Sequence, residues 1–336
     1  MRRALLAFLC VPFLLASAGA RAQAPSTAET TLAAVIADYE RLDKLADPLT
    51  AGQEGDREAL QRLPDVRPET EAAQRNELIA IGKRLAAIDT RQLAPESALN
   101  LALLSRIVDQ SVEGAGFDFS RIAFENDDGF HTLADYLART TSISAREDAD
   151  AWLLRLEALP AYYEQNIANL RRGIKTKFTQ PRIVVDRVLA VARQQAATKA
   201  ADSSLLLPFA RMPANIPVAA QDQYRAKALQ LVQDRILPVQ RTFAEFLARE
   251  YVPAARAAIG WRSTPNGEAT YRFLVRRETT TSMTPDEIHQ LGLSEVARIR
   301  GLMESTIRET GFKGSFADFL QMLRSEEHTS ELQSPI

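Results

Sequence analysis

His131, His289 and His328 are the chain's only histidines, and any hydrolytic metal centre would have to be built around them. A zinc site of the His-Glu-x-x-His kind needs two imidazoles one helical turn apart, with the glutamate between them as general base. Thr132 follows His131 and Gln290 follows His289, so neither opens that motif. The one cysteine, Cys10, offers no thiolate pair. Neither a Gly-rich phosphate loop nor a Gly-x-Ser-x-Gly elbow is present. The run Asn126-Asp127-Asp128-Gly129 lacks the ligand spacing of a calcium loop. His131 follows that turn and reads as a helix-start histidine, with a ligand or proton donor as the alternative. His289 reads as structural. His328 beside Glu326 and Glu327 only imitates a metal site. By itself the chain is expected to have no catalytic, metal or cofactor residues.

The elements that would position such groups are helical. Gly is scarce, and no segment alternates polar and apolar residues as a half-buried strand does. Trp152, Leu156, Leu159, Tyr163, Ile167 and Leu170 recur at spacings of three and four. So do Leu229, Val232, Ile236, Val239, Phe243 and Phe246, and again Val296, Ile299, Met303 and Ile307. Each set is the buried stripe of an amphipathic helix. The pairs Ser26/Glu29, Ser144/Glu147 and Thr284/Glu287 fit capping boxes. Pro285 suits the first position of a helix that Gly311 closes, and Ser315 opens the next. Pro208, Pro213 and Pro217 mark a loop. Pro238 falls inside a helical pattern and predicts a kink or break near Leu237. The fold class is all-α, an array of amphipathic helices.

Both ends read differently from the middle. Met1-Arg2-Arg3, the apolar run Ala4–Leu15 and Ala20-Arg21-Ala22 form a secretory signal with cleavage between Ala22 and Gln23. The apolar run is interrupted by Pro12 and is too short to span hydrocarbon, which needs about 20 residues. Residues 324–336, from Arg324 through Ser334 to Ile336, resemble the conceptual translation of a sequencing-library adapter. They are expected to be a non-native tail, disordered or an arbitrary extension of the chain. The domain plan is therefore signal 1–22, helical domain 23–323 and tail 324–336. Removing Arg2, Arg3, Arg21 and Arg324 from 41 basic residues, and Glu326, Glu327 and Glu331 from 43 acidic ones, leaves a charge near −3. That gives no reason for nucleic acid or an anionic membrane as a partner. With Cys10 gone at cleavage, the exported chain must fold without disulfides.

Two stretches carry a family resemblance. The first is Tyr251-Val252-Pro253-Ala254-Ala255-Arg256, Gly260 and Pro265 to Tyr271. The second is Thr279-Thr280-Thr281 with Met283 to His289 and Gly292. Gly173-Ile174 with Thr179-Gln180-Pro181-Arg182 adds to them. Together these resemble the domain of unknown function 885 family, over about Tyr39 to Leu323. The resemblance implies a periplasmic or secreted helical protein with the character of a zinc peptidase. The family's His-Glu-x-x-Pro-Gly-His segment would lie downstream of Leu323, so zinc is expected in the full-length protein and not in this chain. A peptide-like substrate is the implied partner there, with no membrane contact after signal removal. Gly260 and Gly267 suit turns with positive φ. Arg256 and Arg276 could clamp a substrate carboxylate in two-pronged geometry, or form surface ion pairs with Glu250 or Glu278. Arg256, Tyr271, Arg276 and Thr280 are the expected cleft-lining residues. The chain thus reads as the N-terminal part of a metallopeptidase-like hydrolase, inactive by itself. The alternative is a non-catalytic helical module that binds a peptide or partner. Faces that a downstream helix would cover should be exposed.

Overall fold

The computed structural model describes residues 26–126 and 128–331, with side chains through Ser325. The cleavage site Ala22–Gln23, Asp127 and the His328 side chain lie outside the described residues. The helices are α1 (Thr27–Ala46), α2 (Pro48–Gln53), α3 (Pro68–Ala86), α4 (Pro95–Ala115), α5 (Phe130–Thr140), α6 (Arg146–Lys175) and α7 (Arg182–Ala197). They continue with α8 (Val218–Leu231), α9 (Leu237–Phe246), α10 (Val252–Ala254), α11 (Gly267–Thr279), α12 (Pro285–Glu309) and α13 (Phe316–Glu331). The fold is all-α. Among the described residues the only strand-like pairings are the bridges Phe124–Gly129 and Pro181–Arg256.

The chain divides into two compact units. The smaller comprises residues up to Asp47 and Ala72–Val112. There α1, α3 and α4 close around Leu32, Val35, Leu42, Ile81, Leu85, Leu101, Leu104 and Val108. Ser26 caps α1 by accepting the Glu29 N–H at 3.1 Å. The Glu29 carboxylate does not return to the Ser26 N–H. It accepts from Ala94 N and Ser97 Oγ, both at 2.7 Å, and so caps α4 instead.

The larger unit is built on α6, a helix of 30 residues. Its predicted stripe, Trp152, Leu156, Leu159, Tyr163, Ile167 and Leu170, is buried throughout. Asp148, rather than the predicted Ser144/Glu147 pair, secures its start: its carboxylate accepts the N–H groups of Ser144 and Ala145 at 2.9 and 3.0 Å. The proline-marked loop is anchored by Leu205, Phe209 and Ile216, all buried.

Pro238 does not break its helix. The ladder widens into a π-helical turn at Val232–Ile236 and resumes as α9. A second π turn at Leu247–Tyr251 precedes Pro253. Each proline lacks an N–H, and its ring would press on the carbonyl four residues back, Asp234 or Arg249. A wider turn relieves both problems without ending the helix. Ahead of the wide turn, Ala228, one turn before Val232, takes the buried position expected of Leu229, which is exposed.

The third predicted stripe is not buried. Val296, Ile299 and Met303 on α12 are exposed, Val296 at 68%, and only Ile307 is covered. The Thr284/Glu287 box is complete, with Thr284 N donating at 2.7 Å and Glu287 N at 3.2 Å. Gly311 is left-handed at φ +77°, as expected of a helix closer. Gly260 and Gly267 are not left-handed. Gly267 is needed because a Cβ would meet the Trp261 carbonyl oxygen at 2.0 Å, whereas Gly260 sits in open space. From a Ser315/Asp318 box, α13 runs on to Glu331.

Candidate functional site

A concavity of about 810 Å³ in the larger unit is bordered by α5, α7, the 3-10 turns at Ala200–Asp202 and Ser204–Phe209, and the start of α9. Its walls are mostly neutral hydrogen-bonding groups: Thr132, Gln194, Gln195, Ser203, Ser204 and Gln240. Asp128, Asp135, Asp202 and Arg139 add charge.

Asp135 is the hub. One carboxylate oxygen accepts from Ser204 Oγ, and the other accepts from Gln195 Nε2 at 2.8 Å. Gln195 Nε2 also donates to the His131 carbonyl at 2.8 Å, and the Tyr163 hydroxyl donates to the same oxygen at 3.2 Å. Gln195 Oε1 is buried and has no donor among the described residues. Gln195 borders the cleft, but Oε1 itself is closed off from the accessible surface, so this lone pair is an unmet acceptor inside the wall and not one offered to a ligand.

His131 is the second residue of α5 and is 1% exposed. Its ring lies against Phe124, Phe130 and Phe243, with centroids 6.3, 5.9 and 5.8 Å away. Burial pushes it down to about 4, although Asp128 and Asp135 pull the other way. It is therefore neutral near pH 7, and Nδ1 is buried without a partner. No imidazole links Asp135 to Ser204, which donates to the carboxylate directly. A carboxylate alone is too weak a base to make serine a nucleophile, so the pair is a clamp between elements and not a catalytic dyad.

The residues present do not fit a zinc ion. Among the described residues no three of His, Cys, Asp and Glu converge as ligands, and a zinc site needs three or four. No step can be routed through a metal held by these residues.

Gly129 sets the start of α5 and hence the place of His131 and Asp135. Its φ is +153°, and an added Cβ would meet Phe124 Cβ at 2.6 Å and Phe124 Cα at 2.8 Å. Gly129→Ala is expected to lower stability by about 2 kcal/mol, from overpacking and backbone strain. An unchanged thermal midpoint would show that this turn relaxes freely.

The four residues singled out in the sequence do not border this cleft. Arg256 does not pair with Glu250. Its guanidinium donates to the carbonyls of Thr179, Ala258, Ile259 and Gly260 and holds the 255–263 loop together. Glu250 pairs instead with Arg171 at 2.6 Å. Arg276 pairs with Glu113 at 2.5 Å, and Glu278 with Arg277. Tyr271 is partly exposed. Thr280 closes α11 in the left-handed region at φ 55°. His131, which drew notice in the sequence, does not border the cleft, whereas Asp135, one turn further along α5, does and left no sequence trace of its own. Gln195, Ser204 and Gln240 come from three other elements and left none.

The sequence profile described as "Bacterial protein of unknown function (DUF885)" matches residues 48–334. No curated protein matches the chain. Among solved structures, the fold is shared with a candidate lipoprotein from Colwellia psychrerythraea, at 16% identity and a TM-score of 0.77. The alignment covers 89% of this chain and 54% of that one, so the chain spans about half the length of the solved structure it matches.

Proposed function

The chain belongs to the DUF885 family of bacterial proteins, and from that premise we propose that its large cleft binds an extended peptide for an exported, metal-dependent hydrolase. The observation that carries this reading is the lining of the cleft, where the amides of Gln194, Gln195 and Gln240 and the hydroxyls of Thr132, Ser203 and Ser204 supply both donors and acceptors. Such neutral groups suit a peptide backbone with alternating donors and acceptors. Export is supported by the signal-like first 22 residues and by the lipoprotein description of the similar fold. Among the described residues no helix is long and apolar enough to cross a membrane.

In this reading the chain binds and orients substrate. Any hydrolytic metal would have to be held by residues other than those described. The second reading is a binding module without catalysis, favoured by the lack of convergent metal ligands here. Metal content and hydrolysis of a peptide library, measured on this chain and on the product of its whole gene, separate them. The expected result is peptide binding without stoichiometric zinc or turnover in this chain, and zinc with turnover in the whole product. Absence of both in the whole product selects the module. Failure of this chain to bind peptides overturns the cleft assignment.

A further inference from the structure

A second, smaller cavity of about 370 Å³ lies between α2, the end of α5 and the first half of α6. Leu49, Leu60, Leu137 and Trp152 give it an apolar wall, and Arg155 stands among them. Arg155 is only 6% exposed. Its Nε donates to the Arg62 carbonyl at 3.1 Å and its Nη2 to the Ala59 carbonyl at 3.2 Å. Neither acceptor carries a charge, and Arg155 forms no ion pair among the described residues. Nη1 has no acceptor at all there. Arg62 Nε, in the residue whose carbonyl holds Arg155, is likewise buried without a partner.

A buried, uncompensated guanidinium is costly, and guanidinium cannot shed its proton near neutral pH. Burial lowers its affinity for the proton only to about 10. The fold nonetheless preserves space beside it. Gly52 lets α2 pack closely beside it: a Cβ there would meet Leu60 Cδ2 at 3.0 Å and Arg155 Nη2 at 3.4 Å. Asp148, two turns back on α6, borders the same cavity but is already engaged. It accepts two backbone N–H groups and faces Arg57 at 3.5 Å.

We propose that this cavity is a binding site for a small carboxylate with an apolar body, whose carboxylate completes the free edge of the Arg155 guanidinium while its body packs on Trp152 and the leucines. The chemistry follows from the fork of donors, which matches a planar carboxylate better than a point anion. Tyr136 borders both this cavity and the larger cleft, but Arg155 lines only this one, and the proposal stands or falls separately from the peptide reading.

The test is calorimetric titration of the full chain with N-acetyl-L-leucine, with its uncharged amide, and with hexanoate. The acid is expected to bind at least roughly tenfold more tightly than the amide, as a charge-assisted pair requires. Equal binding of hexanoate widens the ligand class to apolar carboxylates generally, and weaker binding narrows it to peptide-like C-termini. Both results support the site. Arg155→Lys, which keeps the charge and loses the fork, should weaken the acid and leave the amide unchanged. Should that variant not fold, the acid-to-amide ratio in the unaltered chain decides. Equal binding of acid and amide, or no binding of either acid, overturns the proposal.

Discussion

Replacing Phe243 with alanine is expected to destabilise the larger unit by about 4 kcal/mol. Phe243 is fully buried. Its ring centroid lies 4.8 Å from that of Phe130, 5.9 Å from Tyr163 and 5.8 Å from His131. It is the point where α5, α6 and α9 meet. Truncation loses the transfer free energy of the ring, leaves a cavity between three helices, and removes edge-to-face contacts worth about 1 kcal/mol each. The relaxation that would refill the space is opposed by the hydrogen bonds from Tyr163 and Gln195 that fix the backbone at His131. Phe243→Leu keeps most of the volume and should cost about 1.5 kcal/mol. Urea unfolding followed by tryptophan fluorescence measures this, because Trp152 and Trp261 both belong to that unit. A loss below about 1 kcal/mol for the alanine variant would show that the three helices do not share this core.

Acid should weaken the same unit through His131. Buried, it titrates at about 4, against the ordinary 6.5 of the unfolded chain. Between those values the unfolded chain takes a proton that the folded chain refuses. The contribution is fully present above about pH 6.5 and is lost as pH falls toward 4. A gap of that size corresponds to about 3 kcal/mol by pH 4. His131→Leu removes both the titration and the unpartnered Nδ1. Its stability should therefore be close to that of the parent at pH 7 and exceed it by about 2.5 kcal/mol near pH 4.5. Parallel losses in the two proteins between those pH values would show that other groups govern the acid response.

These two residues also mark how far the sequence could be read. Phe243 was legible as core from its period alone, because it recurs with Val232, Ile236 and Val239 and ordinary helix geometry brings such residues to one face. The caps at Ser26, Thr284 and Gly311 were legible for the same reason: each depends on residues within one turn of chain. Local patterns misled where a distant partner intervened. Ser144/Glu147 looked like a box, yet Asp148 makes the bonds. Arg256 read as a carboxylate clamp or a surface ion pair, yet its Nε and Nη1 are held by four carbonyls of its own loop and of the 179 region. The stripe on α12 has the period of a buried face and is exposed, because period reports only that a helix has an apolar side and not that anything lies against it.

The sequence by itself determined the helices, most of their ends and the all-α class, since these rest on interactions over three or four residues. Only the tertiary structure decided where chemistry could occur. The buried Gln195 acceptor, the Asp135–Ser204 clamp and the uncompensated Arg155 are each made of groups far apart in the chain: residues 131, 135, 195 and 204 in one case, and 52, 59, 62 and 155 in the other. Whether a polar side chain is satisfied depends on which carbonyls and carboxylates reach it across helices, and burial sets the cost when none does.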